Sequence, residues 1–261
     1  MIACDGGSSP EARTAGTIDT IIPAGPLGES IRHGRDLVRN TGELLPDNTG
    51  NALRCVSCHL DDGRRATGSW VGVYGRYPQY RSRSASVVTI EDRVNGCFRR
   101  SMNGRPLPVD GGAMRDIVAY LWWLSNGTTI GPPASRQDRA ARFGALRADT
   151  AAGATLFATH CARCHGVEGE GMAIYPPLWG PRSFNIGAGM ARRYTAATFI
   201  AANMPFDQPG TLTDQQALDI AAYVTSKPRP DFPGKENDWP AGGAPSDAAY
   251  PVNSTHGGRN P

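Results

Sequence analysis

Five consecutive residues, Cys55-Val56-Ser57-Cys58-His59, set two thiols three positions apart and an imidazole directly after the second. In a C-x-x-C-H run the thiols add to the two vinyl groups of a haem, and the histidine reaches the iron from the proximal side. The pattern returns at Cys161-Ala162-Arg163-Cys164-His165. A redox dithiol would account for one pair and a four-thiolate zinc site for both, but neither explains the two histidines that follow. The chain is therefore expected to carry two covalently bound haem c groups. Cys55, Cys58 and His59 hold the first, and Cys161, Cys164 and His165 hold the second.

Each iron then needs a ligand on its other side. Met204, followed by Pro205, lies 39 residues after His165, with Met172 and Met190 as alternatives. In the first half the residue 38 positions after His59 is Cys97, with Met102 and Met114 as alternatives. A free cysteine is commonly a small buried hydrophobe. Here Arg81, Arg83, Arg93, Arg99 and Arg100 surround it in the sequence, and cationic surroundings favour the thiolate that binds metal and attacks sulfur. That neighbourhood points to a reactive cysteine.

The elements that must position these groups are legible as a repeat. Apolar spacing predicts a short amphipathic helix from Glu29 to Val38 before the first motif, and Ala151 to Thr159 predicts a helix running straight into the second. Downstream, Asp116-Ile117-Val118-Ala119-Tyr120-Leu121 is echoed by Asp219-Ile220-Ala221-Ala222-Tyr223-Val224. That offset of 103 residues keeps register with the offset of 106 between the haem motifs, as expected of a duplicated unit. Each unit reads as helix, haem motif, loop and closing helix, with Tyr120, Trp122, Trp123 and Tyr223 as packing aromatics. The expected fold is mainly α, two cytochrome c-like haem domains in tandem with extended N- and C-terminal arms. Residues 1–28 form the first arm, 29–130 the domain of the active-site haem, and 131–150 a Gly-, Pro- and Arg-rich linker. Residues 151–228 form the electron-transfer haem domain, and 229–261 a tail with little capacity for a core, expected to wrap or be mobile.

Composition agrees with small haem domains. The 261 residues are 39% hydrophobic, with 32 Gly and 21 Pro, a loop-rich globular pattern. Haem propionates would offset the formal charge of +3, so no nucleic-acid reading follows. Lys227 and Lys235 are the two lysines; the other basic residues are Arg, whose planar fork suits oxyanions. No stretch approaches the ~18 to 20 apolar residues of a membrane span. Covalent haem attachment implies export, so a periplasmic location is expected, with a signal segment ahead of these residues. Cys4 reads as an unpaired thiol, or as a membrane anchor if it is lipidated.

Four further stretches carry a family resemblance. They are Gly72-Val73-Tyr74-Gly75-Arg76-Tyr77-Pro78-Gln79-Tyr80, Arg93 to Cys97, Arg100-Ser101-Met102-Asn103-Gly104, and Pro176 to Asn185. Together they resemble the thiosulfate dehydrogenases over about Gly28 to Pro230. These are dihaem c-type enzymes that couple two thiosulfates into tetrathionate, some working in reverse. The resemblance implies His/Cys ligation of the active-site haem through His59 and Cys97. It also implies a substrate pocket lined by Arg83, Arg93 and Ser101, and His/Met ligation of the second haem through His165 and Met204. Some relatives have a ligating lysine just before the distal methionine; here Asn203 stands there. The implied partners are thiosulfate, tetrathionate and a periplasmic electron acceptor such as a small cytochrome c or high-potential iron–sulfur protein. The competing expectation is a dihaem electron carrier with no substrate site of its own.

Overall fold

The computed structural model describes residues 21–128 and 136–252, so Cys4 lies outside the described residues. Helix α1 spans Gly25–Arg39, beginning four residues inside the expected arm because Pro26 occupies its first turn, where proline needs no N–H partner. Its buried residues Gly28, Ile31, Gly34, Leu37 and Val38 recur at helical spacing and form one stripe. A short helix α2, Thr41–Leu44, follows, and then the first haem motif. A two-stranded hairpin comes next, β1 Gln79–Arg81 against antiparallel β2 Ser86–Val88. Helix α3, Ile90–Arg100, starts on a reciprocal cap in which Thr89 Oγ1 accepts from Asp92 N and Asp92 Oδ2 accepts from Thr89 N. Helix α4, Gly112–Trp123, closes the unit.

The second half repeats this plan. Helix α5 spans Arg136–Phe143, α6 Thr150–His160, α7 Ala162–His165, α8 Arg193–Asn203 and α9 Asp214–Ser226. In both halves a helix ahead of the haem motif, α1 or α6, crosses the closing helix at a glycine with no room for a side chain. A Cβ on Gly34 would lie 1.9 Å from the Asp116 carbonyl oxygen, and one on Gly153 would lie 2.0 Å from that of Asp219. The side chains beside those carbonyls tie the same crossings: Asp116 is bonded by His33 Nδ1 at 2.6 Å, and Asp219 accepts from Asp149 N at 2.8 Å. The echoed Asp-Ile stretch is thus the backbone contact that brings each closing helix onto its partner. Two apolar cores result, one around Ile31, Phe98, Ile117 and Tyr120, the other around Phe157, Ala197, Leu218 and Ile220.

Two expectations of irregular chain need correction. The linker expected at 131–150 contains α5, whose Phe143 is fully buried in the second core; its arginine-rich composition hid a short amphipathic turn. The C-terminal tail wraps, as expected, but it also buries Phe232, Trp239 and Tyr250. Backbone bonds from Gly180 N to Pro228 O, Ile186 N to Pro230 O and Trp239 N to Arg83 O hold it across both halves. Three aromatics spread over nineteen residues make no period, so only tertiary contact discloses their burial.

Candidate functional site: two haem cavities and a guarded cysteine

Each haem motif opens into its own cavity, of about 250 Å3 in the first unit and 230 Å3 in the second, and Leu53, Arg54 and Cys58 line both. The donor sets fit haem c. Cys55, Cys58, Cys161 and Cys164 are free thiols, and burial pushes Cys55 and Cys58 up to about 12 and Cys161 to about 11, as suits thiols set in apolar surroundings. The Nδ1 atom of His59 lies 2.6 Å from Gly68 O, and that of His165 lies 2.9 Å from Pro176 O. Donation of the Nδ1 proton to a carbonyl leaves Nε2 with its lone pair, the arrangement a proximal ligand requires. Burial lowers both imidazoles, His59 to about 4, so each is neutral at ordinary pH. Trp70 stacks on His59 at 4.5 Å and fixes the ring plane. Among the described residues no three His, Cys, Asp or Glu are grouped so that they could hold a metal ion.

Helix α3 delivers Cys97 to the first cavity. One turn earlier on the same face, Arg93 Nη1 donates to Cys97 Sγ at 2.8 Å. The attraction of Cys97 raises the Arg93 pKa, despite an opposing cost of burial. Ser101, the C-cap of α3, and Met102 line the same cavity, whereas Met114 is packed in the core outside it. In the second cavity Met204, the C-cap of α8, and Met190 line the wall, whereas Met172 is 45% exposed and lies outside it. Asn203 is fully buried with Nδ2 donating to Phe199 O, and it does not line the second cavity.

The arginines expected around Cys97 separate. Arg93 and Arg81 line the cavity; Arg83 does not. Arg83 Nη1 instead donates to Gly187 O at 2.7 Å, and its guanidinium lies over the Trp239 ring at 4.5 Å. Burial lowers its pKa to about 10, and it remains charged. Arg99 reaches back to Asn95 O, and Arg100 pairs with Asp238. The physical reason is where the strand stops: alternation along β1 turns Gln79 and Arg81 to the cavity and leaves Tyr80 between them 60% exposed, but β1 ends at Arg81. Arg83 sits past the end of the strand, where the C-terminal segment covers it. Arg76, which the sequence reading assigned no role, also lines the cavity.

Comparison with known proteins agrees with this architecture. The SoxA/TsdA cytochrome c domain family matches residues 46–130, and the cytochrome c family matches 150–227. Thiosulfate dehydrogenase of Psychrobacter arcticus is 42% identical over 236 residues, covering 88% of this chain and 72% of that protein. Thiosulfate dehydrogenase of Allochromatium vinosum is 42% identical over 223 residues, covering 81% of this chain and 83% of that protein. The as-isolated structure of thiosulfate dehydrogenase TsdBA from Marichromatium purpuratum superposes with a TM-score of 0.74 at 39% identity. It matches 85% of this chain, which spans half the length of that longer one. With two cytochrome c domains in tandem, two covalent haem c sites and these relatives, the chain belongs to the thiosulfate dehydrogenase family.

Proposed function

We propose that this protein joins two thiosulfates into tetrathionate at the first cavity and passes two electrons out by way of the second. The observation that carries the reading is the 2.8 Å contact between Arg93 Nη1 and Cys97 Sγ, in a cavity that also presents Arg76, Arg81 and Ser101. An electron carrier has no need of a sulfur nucleophile held among anion-binding groups. Thiosulfate is a dianion, so bringing two together requires fixed positive charge, and the guanidinium fork supplies it with directed donors. Ser101 is suited to donate to a sulfonate oxygen.

The sulfur chemistry balances with Cys97 as nucleophile. Its thiolate forms a bond to the terminal sulfur of one thiosulfate, giving a cysteine S-thiosulfonate, Cys97–S–S–SO3−, as two electrons leave. The terminal sulfur of a second thiosulfate then attacks the sulfur next to the cysteine, the bond to Cys97 breaks, and tetrathionate departs as the thiolate returns. No proton is consumed. When bound, the two haems supply one-electron acceptors, one for each electron. His59 and Cys97 would hold the first and His165 and Met204 the second. Read backwards, the same steps would reduce tetrathionate.

Covalent haem attachment goes with export, so the proposal includes a periplasmic location and a small cytochrome c or high-potential iron–sulfur protein as acceptor. Among the described residues no helix is long and apolar enough to cross a membrane. The test is turnover of the dihaem protein with thiosulfate and ferricyanide. One tetrathionate should appear for every two ferricyanides reduced. Fully haem-loaded protein that exchanges electrons with a reductant yet forms no tetrathionate would establish the carrier reading instead.

A further inference from the structure

The tail segment covering Arg83 is built around one acid. Asp238 is buried, and its carboxylate meets two arginines from separate parts of the first unit. Arg100, the last residue of α3, donates from Nη1 to Oδ2 at 2.8 Å and from Nη2 to Oδ1 at 2.7 Å. Arg83, in the turn between β1 and β2, brings Nε to 3.6 Å from Oδ2. Tyr250 OH donates to Oδ2 from further along the tail. The same segment lays Phe232 against Arg100 at 4.0 Å and Trp239 against Arg83 at 4.5 Å, and bonds the hairpin backbone from Trp239 N to Arg83 O at 2.7 Å.

The two arginines anchor the two walls that carry the anion-binding groups. Helix α3 holds Arg93 and Cys97 and ends at Ser101, and the hairpin holds Gln79 and Arg81. Among the described residues the hairpin's named strands pair only with each other, so nothing in a larger sheet fixes their position. A bidentate arginine–carboxylate pair has directional bonds and little freedom, and a second arginine on the same carboxylate transmits that fixity to the second wall. Substrate positioning is sensitive to such spacing, since about 1 Å of misplacement far from the chemistry costs on the order of 100-fold.

We infer that Asp238 is a positioning residue for the sulfur chemistry: from the C-terminal strap it clamps Arg83 and Arg100 and so sets the spacing between the hairpin's Arg81 and the Arg93–Cys97 face of α3. The inference rests on the proposed thiosulfate oxidation. It explains why Arg83, absent from the cavity wall, is nevertheless held by four contacts from outside it: Gly187 O, the Trp239 ring, the Trp239 N–H and Asp238.

The test compares Asp238→Asn, Asp238→Glu and Tyr250→Phe in the dihaem protein, with rates expressed per haem. Asp238→Asn should raise KM for thiosulfate by about tenfold or more with kcat within about threefold, while the spectra and midpoint potentials of both haems stay as in the wild type. Asp238→Glu should recover most of the loss. Tyr250→Phe removes one hydrogen bond and no charge; its KM should rise about two- to threefold, a readout that survives if Asp238→Asn fails to fold. Unchanged KM in Tyr250→Phe, or a lower melting temperature with unaltered KM per haem in Asp238→Asn, would overturn the inference and leave the strap purely structural. A wild type without thiosulfate turnover would overturn the function reading instead, and the two failures are distinct.

Discussion

Replacing Arg93 by Gln tests the central contact most directly, because it keeps a side chain of similar reach and an amide donor but removes the charge. Charge-assisted hydrogen bonds contribute about 1.5–3 kcal/mol, roughly twice a neutral one. If the Arg93 Nη1 to Cys97 Sγ bond of 2.8 Å is fully used during turnover, its loss should lower kcat/KM about 10- to 150-fold. Arg93→Lys should fall between, since an ammonium restores charge without the planar fork that reaches both sulfur and substrate oxygens. The assay is thiosulfate-dependent ferricyanide reduction per haem, read together with the thiolate-to-iron features of the first haem. Loss of both activity and the thiolate spectrum would assign the arginine to holding Cys97 on the iron. Loss of activity with the spectrum intact would assign it to the substrate anion. A kcat/KM within about threefold of the wild type in Arg93→Gln would refute the reasoning.

Three further outcomes follow from the same geometry. Cys97→Ala should keep both haems, because the thioethers and His59 hold the first one independently, yet lose at least about 1000-fold in turnover; Cys97→Met restores a soft ligand without a nucleophile, and turnover near wild type there would reduce Cys97 to a ligand. Met204→Gly should abolish the near-infrared methionine-to-iron band and lower the second haem's potential, whereas Met190→Leu should leave both unchanged; potentiometry with near-infrared spectra decides between them. Gly153→Val should destabilise the second unit by about 3 kcal/mol, because its Cβ would meet the Asp219 carbonyl at 2.0 Å, and calorimetry should show a fall of about 12–24 °C in its melting transition.

Much of the architecture was legible before any coordinates. The two C-x-x-C-H runs dictate covalent haem because the thiols, the iron ligand and their spacing all lie within five residues, and the echoed Asp-Ile stretches place the closing helices. Cys97 and Met204 were also singled out by distance along the chain, since each follows its histidine by nearly the same interval, and each lines the cavity of its own unit. The helix α5 and the buried aromatics of the tail were not legible, as neither carries enough periodicity to stand out from arginine, glycine and proline.

What the sequence by itself determined, then, is local: which residues attach haem and that the unit is duplicated. Those relations are set by bonds and spacings along a few residues. What only the tertiary structure decided is which of five nearby arginines faces the cavity. Arg81 and Arg83 differ by two positions and would share a face in a continuing strand, but the strand ends at Arg81, and Asp238, 155 residues further along, draws Arg83 to the other side. A charge's direction depends on where its opposite charge is buried, and that is fixed by packing of distant segments rather than by neighbours in the chain.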